Sequence, residues 1–371
     1  MTQLRKTGPL IDNYFHDGLF PTMVKPVEAA PKRPRLALAF LVAGTGFTAV
    51  ALLAIAIGPV TLNPGEAFAA LRDATLDDHS SPAASVVYNI RLPRIIVGAL
   101  VGAALAVSGA VMQAVFRNPL ADPGIIGVSA GAATAAVLAI VFGLTAVGAW
   151  VLPAAAFIGA LGTVAVVQSI AQWRGGGPVT LVLVGIAASA FLGAVTSAAV
   201  ANAPQDSDIR GIAFWLNGDL VARTWAHVGI AAAPILFGTI AVIAVGRDLN
   251  ILTLGDSTAR SLGVNTAVMR PAVLSLAALL AACAVAVSGI IGFVGLVVPH
   301  LVRLTVGTDH RALLPLAAVA GATFVVAADT LARTIFDPVV LQTGSVVAFI
   351  GSPLFLWLLL RTIGPNGRGA L

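Results

Sequence analysis

From Ile95 to Phe116 the chain carries no charged side chain, and a run of that length fixes much of what can follow. It matches the roughly 20 residues that a helix needs to cross a bilayer core. Arg91-Leu92-Pro93-Arg94 precedes it. Arg117-Asn118-Pro119-Leu120-Ala121-Asp122-Pro123 follows it, before a second apolar run opens at Gly124. The stretch Arg91 to Gly131 thus reads as a charged lip, a full span, a tight turn at the opposite face and a return, and the rest of the chain is organised around it.

Further apolar runs lie at about 36–58, 124–143, 146–172, 179–201, 226–246, 272–290, 291–306, 312–331 and 345–361. With 95–116 they predict an all-α, polytopic membrane protein of ten transmembrane helices. The run 291–306 is short and rich in glycine, as a tilted or half-buried helix would be. Only 10% of the residues are charged and 58% are hydrophobic. A globular chain carries about 25% charged residues, so a large soluble helical protein is set aside for want of polar helix faces. Small residues spread through the spans, such as Gly98 and Gly102, read as close helix packing in lipid.

Ten spans put both termini on one side. Of the 21 lysines and arginines, Arg72, Arg91, Arg94, Arg210, Arg223 and Arg333 fall on the face opposite the N-terminus, and the others on its own face. The positive-inside rule then predicts both termini in the cytoplasm. The net charge of +5 is accordingly a topology signal, not a nucleic-acid patch. Residues 1–35, interrupted by prolines and without an apolar core, read as a cytoplasmic tail rather than a cleaved signal peptide. Residues 36–362 form the membrane domain and 363–371 a second cytoplasmic tail. Asn63-Pro64-Gly65-Glu66 marks the start of a short surface helix in the outer segment before Arg94. Trp215 and Trp225 suit the membrane interface.

Gly127-Val128-Ser129-Ala130-Gly131 matches the nucleophile elbow of serine hydrolases, which needs a strand-turn-helix and a nearby histidine. Here it lies in a membrane helix, where small packing residues explain it better. No phosphate-binding loop with a lysine is present, since Lys6, Lys25 and Lys32 all precede the first span. Any nucleotide hydrolysis belongs to another chain, and no cofactor is expected. The single cysteine, Cys283, makes neither a disulfide framework nor a metal site. Leu254 to Val264 reads as a short helix bounded by glycines, in which Asp256 either caps the start or pairs with Arg260. It is a solvated turn or a rigid knob for a cytoplasmic partner. Asp329 and Arg333, four apart near the outer end of a span, are positioned to pair with each other. Arg91, Arg94 and Arg333 together would make an outer basic rim for carboxylates of a docking protein.

The sequence resembles the FecCD-type permeases of ABC importers, which carry ferric siderophores, haem and cobalamin. The resemblance rests on Arg91-Leu92-Pro93-Arg94, on Leu105 to Gly131 with its Arg-Asn-Pro-Leu-Ala-Asp-Pro turn, and on Leu254-Gly255 through Leu262-Gly263. Ser288 to Leu296, Pro299-His300, Asp309-His310-Arg311 and Gly351-Ser352-Pro353-Leu354-Phe355 add to it. It implies a type II ABC importer permease fold of ten helices in the inner membrane, working as a homodimer. The cargo would be an iron chelate or haem, or alternatively cobalamin, on a path bordered by residues 179–216. Two ABC ATPase subunits would dock on the cytoplasmic face and a periplasmic substrate-binding protein on the outer face. The family's coupling segment falls on Gly255, Asp256, Ser257, Thr258, Ala259, Arg260, Ser261, Leu262 and Gly263, and its binding-protein arginines on Arg91, Arg94 and Arg333.

Two outer segments depart from the family pattern. Val340-Leu341-Gln342-Thr343-Gly344 stands where many relatives have Glu-Leu-Pro-x-Gly, and Leu216-Asn217-Gly218-Asp219-Leu220 replaces a Gly-Ser pair after Trp215. A rival class, an ion-driven secondary transporter, would need buried carboxylates near mid-membrane. The predicted spans hold only Asp329, near an end.

Overall fold

The computed structural model describes residues 33–58, 62–75, 81–173, 177–336 and 339–363, and among these every regular element is a helix. The tails expected over 1–35 and 363–371 lie outside the described residues, except where the first helix begins at Arg33 and the last ends at Ile363.

Among the described residues eight helices are long and apolar enough to cross a membrane. In chain order the elements are α1 (Arg33–Ala56), α2 (Pro64–Thr75), α3 (Pro82–Val86), α4 (Leu92–Phe116), α5 (Val128–Val141), α6 (Val151–Trp173), α7 (Pro178–Ala201) and α8 (Asp206–Leu216). There follow α9 (Trp225–Ala244), α10 (Gly246–Thr253), α11 (Asp256–Ser261), α12 (Thr266–Ser288), α13 (Val294–Val306), α14 (His310–Ala332) and α15 (Thr343–Ile363). The apolar helices α5 and α13 are shorter, and with the eight long ones they account for the ten predicted runs. The surface helix α2 starts as Asn63 foretold. The Glu66 N–H donates to Asn63 Oδ1 and the Asn63 N–H to Glu66 Oε2, a reciprocal cap.

The centre of the bundle is α4. A π turn over Val87–Arg91 joins α3 to it, so Pro82–Phe116 is one continuous helical rod. The widened turn lets the Leu92 N–H reach Val87 O just before Pro93, which has no N–H to give. Around α4 stand α9, α12, α13 and α14. Contact is backbone to backbone where glycines face each other. A Cβ at Gly102 would lie 2.1 Å from Gly321 O, and one at Gly109 2.1 Å from Gly295 O. Small residues here are therefore what permits dispersion contacts between helices in lipid. Gly131 and Gly159 bring α5 and α6 together in the same way, so the glycines around Ser129 serve packing.

α13 has 13 residues, about 20 Å at 1.5 Å per residue, less than a bilayer core of about 30 Å. Residues 289–293 cover the remaining depth as irregular backbone, which at that depth needs protein partners. The Gly289 N–H donates to Val285 O at 2.8 Å and the Ile290 N–H to Trp215 O at 3.4 Å, and beside them the Asp219 N–H donates to Ser288 O at 2.7 Å. Large apolar side chains cover the outer surfaces of α1, α7 and α9, among them Leu41, Phe191 and Phe237.

Candidate functional site

Two clusters of charged residues mark opposite ends of the bundle. At the first, the turn after α4 puts Arg117 in a left-handed conformation, φ 49°, and aims it at α11. Arg117 Nη2 donates to Asp256 Oδ1 at 2.6 Å, and Arg270 Nη1, one turn into α12, donates to Asp256 Oδ2 at 3.0 Å. The hydrogen bonds of Arg270 above all, with the charges of both arginines, hold the Asp256 carboxyl below the usual range, against a partial burial that works the other way. Asp256 thus neither caps α11 nor pairs with Arg260, which is exposed. It ties α11 to the ends of α4 and α12.

The chain enters and leaves this six-residue helix through Gly255 and Gly263, at φ 110° and 87°. These are conformations that a side chain would strain. Ala259 is fully buried beneath it. Ser257, Thr258, Arg260 and Ser261 face outward, between Leu254 and Leu262, which are 61% and 57% exposed. The result is a rigid, protruding surface with apolar shoulders and one free-standing arginine.

At the other end, Arg91, Arg94 and Arg333 converge as the sequence suggested, but in a pocket instead of on a rim. They are 2%, 8% and 5% exposed. Arg94 grips Asp329 through Nε and Nη2, both at 2.8 Å. Thr343 Oγ1 donates to the same carboxylate at 2.8 Å. Arg333 Nη2 donates to Ala54 O at 2.7 Å, and Arg91 Nη1 to Ile55 O. The two arginines thereby cap the last carbonyls of α1, where the helix dipole favours cations. Arg333 Nε, 3.9 Å from Asp329 Oδ2, has no hydrogen-bond partner. Arg94 and Arg333 therefore share the Asp329 carboxylate, with Arg94 the closer partner.

Beside the pocket, the two segments that depart from the family pattern meet. A Cβ at Gly344 would lie 2.1 Å from Asn217 O, and one at Gly289 2.2 Å from Trp215 O. Sequence reasoning missed Arg117 and Arg270 as partners of Asp256, and Thr343 as a partner of Asp329. The turn motif containing Arg117 was visible, but its partner lies 139 residues away.

Residues 46–361 match the FecCD transport family. The hemin transport system permease protein HmuU of Yersinia pestis is 40% identical over 332 residues, 89% of this chain and 96% of that protein. The cobalamin import system permease protein BtuC of Halobacterium salinarum is 47% identical over 276 residues, 74% of this chain and 73% of its own. A solved structure described as an inward-facing conformation of a metal-chelate type ABC transporter superposes with a TM-score of 0.78. It is 32% identical, and the match covers 88% of this chain and 99% of that one.

Proposed function

Because this chain belongs to the FecCD transport family and is an ABC importer permease, we propose that it moves a metal-bearing macrocycle, haem in the first instance, across the inner membrane into the cytoplasm. The observation that carries the cargo is the outward face of α7. From Val179 through Leu183, Ile186 and Phe191 to Ser197 it is exposed, uncharged and almost wholly apolar. Such a lining suits a flat tetrapyrrole better than a hydroxamate or catecholate chelate, whose polar groups would lose their hydrogen bonds there. The hemin and cobalamin carriers among its relatives agree with a macrocycle.

In this reading a second copy of the chain covers α7 and α8, and the path runs between the two copies. The protruding segment Gly255–Gly263 receives an ABC ATPase subunit, one on each copy. The exposed Leu254 and Leu262 supply its apolar contact and Arg260 its charge. Asp256 then passes ATP-driven movement to α4 and α12, and the helices rock between outward-open and inward-open states. The field of the clustered Arg91, Arg94 and Arg333 guanidinium groups suits acidic side chains of a periplasmic binding protein docked over this end of the bundle. Both termini lie in the cytoplasm, and residues 36–362 act as the permease unit between two tails. The permease holds no cofactor of its own.

Haem uptake by proteoliposomes containing the assembled transporter tests the proposal. Uptake that requires ATP and the binding protein, with a Soret band on that protein, is the expected result. A binding protein that takes up a ferric hydroxamate and no macrocycle overturns it.

A further inference from the structure

On the outside of the bundle, between α6 and α12, lies a cleft of about 360 Å3. Its walls change character along the membrane normal, and they do so in the same sense on both helices. α6 runs toward the Arg117 end and α12 away from it. Leu161, Val164 and Ala165 on α6 and Ala278 on α12 line the half nearer mid-membrane, while Gln168, Ser169, Gln172 and Ser275 line the half nearer the Arg117 end. Trp173, 82% exposed, closes α6 at that end, at the level where indole rings meet lipid headgroups.

Gln168 is the distinctive group. It is 9% exposed, it accepts a 3.3 Å hydrogen bond from Ser275 Oγ, and its Nε2 has no partner. An amide N–H left unsatisfied at membrane depth is costly. The neighbouring outward residues Val166 and Ile170 are apolar and exposed, as a lipid-facing surface requires. At about 360 Å3 the cleft would hold less than one turn of a helix about 10 Å across from another copy. A single acyl chain could enter it.

We propose that this cleft binds a glycerophospholipid of the leaflet on the Trp173 side. One acyl chain lies along Leu161, Val164, Ala165 and Ala278, and an ester or phosphodiester oxygen accepts the hydrogen bond from Gln168 Nε2. The match is one of polarity gradient: chain toward the bilayer centre, oxygen-rich part toward its surface. The site is separate from both charged clusters and from α7, so it stands whatever the cargo is.

The test is photolabelling of the assembled transporter in nanodiscs of phosphatidylethanolamine whose sn-2 chain carries a diazirine. Label should concentrate on residues 161–172 and 275–278. It should fall roughly fivefold in Gln168→Leu, as for one lost hydrogen bond, and at least as much in Ala165→Trp, which fills the cleft from its exposed edge without disturbing the core. Label spread evenly over α1, α6 and α9 would overturn the proposal. So would yields unchanged in the two variants, or crosslinks joining α6 of one copy to a second copy.

Discussion

Arg94 holds Asp329 with two 2.8 Å hydrogen bonds across 235 residues of sequence. The pair joins the start of α4 to the end of α14, and Thr343 at the start of α15 closes it from a third side. A buried pair of this kind contributes little net stability while intact, yet removing one partner strands a charge.

Arg94→Ala therefore leaves the Asp329 carboxylate buried without its main donor and should cost about 3–5 kcal/mol. Thermal unfolding of the detergent-solubilised protein checks this. Arg94→Met with Asp329→Leu should recover most of the loss, and an unchanged unfolding temperature in the single variant would count against the role given to the pair.

Asp256→Asn weakens both links from α11 to the bundle. Stimulation of the ATPase by the binding protein should fall roughly fivefold or more, while the permease elutes and unfolds as before. Arg117→Ala, whose side chain is 42% exposed, should have the milder effect of a solvent-screened contact. Normal stimulation in Asp256→Asn would show that movement enters the spans by another route.

The pH dependence of that link has a definite sign. Asp256 titrates below the usual carboxylate range because Arg270, and after it Arg117, bind the charged form. Its stabilising contribution is present above the unfolded value of about 3.9 and disappears only as pH falls through the lower folded value. ATPase coupling measured from pH 8 down to 5 should accordingly show no inflection attributable to this group. A fall centred near pH 6 in the parent protein that vanishes in Asp256→Asn would contradict it.

Gly109→Ala sets a methyl group against a backbone oxygen that no side-chain rotation can clear. A destabilisation of at least about 1–3 kcal/mol is expected, the ordinary cost of overpacking. Gly162 on α6, where a Cβ meets nothing within 4 Å, is the control. Equal unfolding temperatures for the two alanine variants would refute the close approach of α4 and α13.

For the arginine pocket, Arg333→Gln removes the guanidinium whose Nε lacks a partner and keeps an amide to donate to Ala54 O. Affinity for the binding protein should drop about tenfold or more, with the oligomeric state unchanged. Equal affinity would assign the arginine wholly to capping α1.

The helices were legible because each span is a long, predominantly apolar run with at most one charged residue. Where hydropathy counted too much, at 124–143 and 291–306, the surplus is real apolar chain that is not α-helical: the 3-10 turn Pro123–Ile126 and the woven stretch 289–293. Charged partners were far less legible. Spacing pointed to Asp329 with Arg333 and Asp256 with Arg260, both at helical distance, yet longer-range packing brought better-aligned arginines to each carboxylate. Burial of the outer arginines was equally hidden, because it depends on where α1 ends, and nothing in the run Ala54-Ile55-Ala56 announces two guanidinium guests.

The unbroken rod Pro82–Phe116 carries Arg91 and Arg94 near one face of the membrane and hands over to Arg117 at the other. At 35 residues it is about 50 Å long, with the π turn as its only departure from regular winding. A tilt applied where α11 is fastened would reach the opposite end as a proportionate swing, with no relay of loosely coupled parts in between. By its length and continuity the central helix has the build of a lever between the two charged clusters.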